Sequence, residues 1–62
     1  MHNIMKIGID ILGVDEPSRI INFVNSYKDD EVELYVYGLE ENLNQITKTE
    51  NIVKNVCTEE VL

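Results

Sequence analysis

Met5-Lys-Ile-Gly-Ile-Asp-Ile-Leu-Gly-Val-Asp-Glu-Pro-Ser18 is the stretch on which the fold of this chain turns. Met5, Ile7, Ile9 and Ile11 alternate with Lys6, Gly8 and Asp10, a period of two that predicts a buried strand with one apolar face. Gly13 then permits a tight turn that a residue with a Cβ resists. Asp15 is placed to cap the first free amides of a helix, and Pro17 suits a helix's first turn. Open α/β folds put their ligands where a strand ends in a turn and opens a helix, although the same grammar also builds purely structural units.

Downstream, Ile20, Phe23, Val24 and Tyr27 recur at helical spacing with Ile21 widening the stripe, which predicts an amphipathic helix over about residues 16–28. Asp29 and Asp30 make a polar turn. A second strand follows at 31–37, with Val32, Leu34 and Val36 on one face, Glu33, Tyr35 and Tyr37 on the other, and Gly38 as its stop. Leu39, Leu43 and Ile46 suggest a second helix of about two turns. Residues 47–51 read as loop. Ile52, Val53 and Val56 form a weak third strand that ends at Cys57, and Thr58 is placed to cap a further element over 59–62. The order β-α-β-α-β argues for one α/β unit with a three-stranded, mainly parallel sheet joined by right-handed crossovers.

A chain of 62 residues makes one small domain or a piece of a larger one, and buries only about 60% of the surface that its unfolded form exposes. Its hydrophobic content of 44% is that of a globular protein. No apolar run approaches the roughly 18 residues of a membrane span, and the N-terminus has no apolar signal region. A single cysteine, Cys57, supports no internal disulfide and fits a reducing cytoplasm. Twelve acids against five scattered bases give a net charge of −7, a field that disfavours nucleic acid and anionic membranes.

Four groups of residues could carry chemistry. The turn between Asp10 and Asp15 opens on free helix amides, which favour an anion such as phosphate. Against that stand three acids, Asp10, Asp15 and Glu16, and a single glycine where a dinucleotide fingerprint has three. Asp10 and Asp15 could together hold magnesium, or simply end a strand and cap a helix. His2 and Cys57, the only imidazole and thiol, make no structural zinc site, and Cys57 reads as a small buried hydrophobe. Tyr35 and Tyr37 could stack on a ligand, or pack beneath a helix with their hydroxyls at its rim.

Met5-Lys-Ile-Gly-Ile-Asp-Ile-Leu-Gly-Val-Asp15 resembles the opening of the bacterial PlsX proteins, the phosphate acyltransferases of fatty acid and phospholipid synthesis. Their chains begin with a short strand leading into a motif of the form Asp-Ala-Met-Gly-Gly-Asp. Further features keep the family's order: an amphipathic helix, the acidic strand Val32-Glu-Leu-Tyr-Val-Tyr-Gly38, a short acidic helix, Asn51-Ile-Val-Lys-Asn-Val56, and Glu-Glu-Val-Leu where the family has Ser-Glu-Val-Ile. The resemblance covers nearly all of this chain but only the N-terminal fraction of such an enzyme.

It implies a Rossmann-like fragment with the architecture of isocitrate dehydrogenase, shared with phosphate acetyl- and butyryltransferases. The implied activity converts acyl-carrier-protein thioesters and phosphate into acyl phosphate in the cytoplasm, with no cofactor. Asp10, Gly13 and Asp15 match the motif and are the implied substrate or phosphate-binding positions, while Val14 stands where the family has its second glycine. A three-stranded piece is expected to be inactive alone. The competing expectation is a small acidic α/β module, not an enzyme, that self-associates or binds a protein partner.

Overall fold

The alternation of Val32, Leu34 and Val36 makes one strand the centre of the molecule, because all three are buried. In the computed structural model, which describes residues 3–57, the elements are β1 (Met5–Asp10), α1 (Pro17–Ser26), β2 (Val32–Gly38), α2 (Glu40–Leu43) and β3 (Ile52–Val56). The sheet order is β1-β2-β3 and both pairings are parallel, as the alternating elements imply. The register sets Met5 beside Val32 and Ile9 beside Val36 on one side of β2, and Leu34 beside Ile52 on the other.

Side chains alternate across a strand, so this register sorts the sheet into two faces. One carries Met5, Ile7 and Ile9 with Val32, Leu34, Val36 and Ile52. Ile21 and Val24 of α1, Leu43 of α2, and Ile46 join that face in a single core with Ile11. Both helices therefore cover the same face. The other face bears Lys6, Gly8, Asp10, Glu33, Tyr35, Tyr37, Val53 and Asn55, and no described element covers it.

Asn25 ties α1 to the segment that follows α2. Its Oδ1 accepts from the amides of Thr47 (2.8 Å) and Lys48 (3.3 Å), and its Nδ2 donates to the Gln45 carbonyl (3.2 Å). At the same end Lys48 Nζ donates to the Tyr27 carbonyl.

Several expectations are corrected. β1 is an outer strand and is not buried: Met5 is 62% exposed and Ile7 37%, because β2 takes the central place and the helices pack over it. Tyr35 and Tyr37 do not pack beneath a helix, since both helices lie on the opposite face. Asp15 does not cap α1: the N-cap is Glu16, and it makes no side-chain capping bond. The second helix has one turn rather than two, with Ile46 reaching the core through a turn closed by its amide on the Leu43 carbonyl (3.0 Å). Gly38 belongs to β2 as its last residue. Cys57 is half-buried, with its thiol directed to the Asn55 carbonyl (3.8 Å). His2 and the element expected from Thr58 onward lie outside the described residues.

Candidate functional site

The carboxyl end of β1 is built from its last buried residue outward. Ile11 is 1% exposed, and its amide donates to the Tyr37 carbonyl (2.9 Å), which extends the ladder by one residue and fixes where the chain leaves the sheet. The Val14 amide then reaches the Ile11 carbonyl (3.4 Å), closing a four-residue turn with Gly13 at its third position and φ of +81°. That φ at that position is the signature of a type II turn, which is why glycine stands there. Asp10 Oδ1 accepts from the Leu12 amide (2.8 Å), so the carboxylate holds the turn from inside.

Asp10 is thus the last residue of β1, and Gly13 and Asp15 lie on the exposed loop between it and the start of α1. Among the described residues no group of three or more His, Cys, Asp or Glu side chains could hold an ion. The Leu12 amide is already taken by Asp10, and Pro17 has none to offer, which leaves an anion fewer donors than a free helix start provides. One cation reaches the mouth: Arg19 Nε lies 3.5 Å from Glu16 Oε2, a solvated pair at the first turn of α1.

Two neighbours of this turn are not evident from spacing in the sequence. Asp10 stands beside Tyr37, and Tyr37 beside Asn55, so the three side chains form one row across the open face at the carboxyl ends of the strands. Asn55 Nδ2 is buried there with no hydrogen-bond partner among the described residues. The signal that could have found them is the parallel register, which a sequence does not print. Further along this face, Lys6, Gly8, Tyr35 and Tyr37 line a shallow depression of about 350 Å³. Tyr35 donates its hydroxyl to Glu33 Oε1 (2.8 Å), and this bond to a carboxylate, helped by desolvation and by the nearby negative charge, raises the Tyr35 pKa above the ordinary tyrosine value.

A second cleft of about 550 Å³ lies at the other end of the sheet, between the end of α1 and the loop before β3, lined by Asn25, Lys28, Asp29 and Lys48 among others. Its position away from the strands' carboxyl ends is opposite to that favoured for ligands in open α/β sheets.

Comparison of the chain with models of known families, with curated proteins and with solved structures gives no match. No described helix is long and apolar enough to cross a membrane.

Proposed function

We propose that these residues form the opening βαβαβ unit of a PlsX-like phosphate acyltransferase, with the loop after β1 contributing to the binding of phosphate. One observation carries the reading: of the positions that match the family's motif, Gly13 sits in the turn at the carboxyl end of β1 with φ of +81°, and the exposed Asp10 and Asp15 flank that turn. In the reaction, a phosphate oxygen attacks the thioester carbonyl of an acylated carrier protein. The carbon–sulfur bond breaks, and the carrier's thiolate leaves as the acyl phosphate forms. The part open to this turn is to present backbone amides and to orient them through Asp10. A cytoplasmic setting and an acyl carrier protein as partner belong to the same reading.

An isolated three-stranded unit does not enclose a substrate, because such sites are assembled from several strand ends. The 62-residue chain is accordingly proposed to bind without turning over. Two-dimensional amide NMR with added inorganic phosphate tests this, the expected result being shifts confined to residues 12–19. Shifts spread evenly over the chain, or none at millimolar phosphate, overturn the reading, as does any acyl phosphate formed from acyl carrier protein thioester by this chain alone.

A second reading is favoured by a different observation, the open face of the sheet. All-parallel sheets occur almost only with both faces covered, and here Tyr35, Tyr37, Val53 and Asn55 lie on a face that no described element covers. A non-enzymatic module that receives a protein partner on this sheet accounts for that face. Native mass spectrometry with and without acyl carrier protein separates the two, since the first reading requires a complex with the carrier and the second does not.

A further inference from the structure

We propose that the outer edge of β1 is a self-complementary dimer interface, pairing with the same edge of a second copy of this chain about a two-fold axis through Gly8. The inference does not rest on the acyltransferase reading.

The backbone decides which groups are open. The Met5 amide donates to the Glu31 carbonyl (2.8 Å) and the Ile11 amide to the Tyr37 carbonyl (2.9 Å), so the odd-numbered residues of β1 face β2. In a parallel ladder the alternate residues turn both their amide and carbonyl the other way. Lys6, Gly8 and Asp10 therefore present their backbone groups at the outer edge.

The sequence of that edge reads Lys6-Ile7-Gly8-Ile9-Asp10, which is symmetric in size and opposite in charge about Gly8. An antiparallel pairing centred on Gly8 sets Lys6 of each chain against Asp10 of the other, with both pairs exchanging backbone hydrogen bonds. Ile7 then faces Ile9 on the helix-covered side, and the two central glycines meet without side chains.

Apolar surface flanks the same edge. Met5, at the start of β1, is 62% exposed and Ile4 before it 54%. The two-fold pairing sets Met5 of each copy opposite Ile11 of the other and Ile4 opposite Leu12, itself 37% exposed, so apolar side chains meet at both ends of the seam.

The opposite edge lacks this complementarity. The Leu34 amide donates to the Asn51 carbonyl (2.9 Å) and the Cys57 amide to the Gly38 carbonyl (2.8 Å), so Ile52, Lys54 and Val56 face outward on β3. The equivalent two-fold pairing there sets Lys54 against Lys54, a like-charge contact. A β1-to-β3 contact would be head-to-tail and leave an edge open for further growth. Only the β1 pairing both closes and matches charge.

Charge reversal and its rescue test the pairing by sedimentation equilibrium on the 62-residue chain. The unmodified chain is expected to be a dimer at micromolar concentration. Lys6→Glu and Asp10→Lys should each weaken the dimer by roughly tenfold or more, because each sets like charges opposite one another in both pairs. An equimolar mixture of the two variants should recover the dimer, since Glu at position 6 of one chain then meets Lys at position 10 of the other, and Asp10 meets Lys6. Far-ultraviolet circular dichroism of each variant checks that it folds, and recovery on mixing is a result that a misfolded chain cannot give. A monomeric unmodified chain, an open-ended series of oligomers, single variants that dimerise like the unmodified chain, or a mixture that fails to recover would each overturn the proposal.

Discussion

Gly38 lies so close to Ile11 that an ideal Cβ on Gly38 would stand 2.6 Å from Ile11 Cγ1 and 3.1 Å from its Cδ1. Ile11 cannot easily step aside, because it is 1% exposed and its amide is bonded to the Tyr37 carbonyl. The end of β2 is thus glycine so that the residue leading into the β1 turn can lie flat against it. Gly38→Ala should destabilise the fold by about 1–3 kcal/mol, the usual cost of overpacking. Thermal unfolding checks this, and Ile11→Ala in the same chain should recover part of the loss, which appears as coupling in a double-mutant cycle.

Gly13 presents a contrasting case. An added Cβ would meet nothing within 4 Å, yet φ is +81°, so a substitution there is strained by its own backbone rather than by its neighbours. Gly13→Ala should cost about 1–2 kcal/mol and Gly13→Asn less, since asparagine tolerates the left-handed region. Chemical denaturation of the two variants orders them, and equal midpoints would remove backbone strain as the reason for this glycine.

Asn25→Ala removes the acceptor of the Thr47 and Lys48 amides and the donor to the Gln45 carbonyl. A loss of about 1–2 kcal/mol is expected, with faster hydrogen exchange at Thr47 and Lys48 than elsewhere in the chain.

Tyr35 supplies the pH dependence. Its pKa is raised above the ordinary tyrosine value, chiefly by the hydrogen bond to Glu33. A raised folded pKa means that this bond's contribution is fully present below the unfolded value near 10 and is lost as pH rises through the folded value. Phenolate absorbance should show a tyrosine that titrates above the ordinary value, and Glu33→Ala should bring it down. An unchanged titration in that variant would assign the shift to something other than Glu33.

The elements of the fold were legible because burial in β2 follows its alternation strictly, with Val32, Leu34 and Val36 all buried. The same pattern in β1 misled, since period two reports that Met5, Ile7 and Ile9 share a face but not whether a neighbour lies beyond them. Strand order decides that, and it is a property of pairs of elements. The turn residue Gly13 could be read because its φ is a local demand. The row of Asp10, Tyr37 and Asn55 could not, because it depends on two registers across separate crossovers. Asp15 was expected as the cap because aspartate suits that role, but the helix begins two residues later, at Pro17, and leaves Glu16 in the capping position.

β2 is the only described strand that both ladders share, and each ladder closes a long loop: Met5 meets Val32, 27 positions away, and Leu34 meets Ile52, 18 away. Neither β1 with α1 nor α2 with β3 has a partner until β2 is in place. Formation of the sheet must therefore wait on contacts distant along the chain, which slows folding relative to a helical chain of the same length. A backbone cut between α1 and β2 yields one piece without a ladder and one that keeps the β2–β3 pair, so the larger piece is the one that would template recovery when the two are mixed.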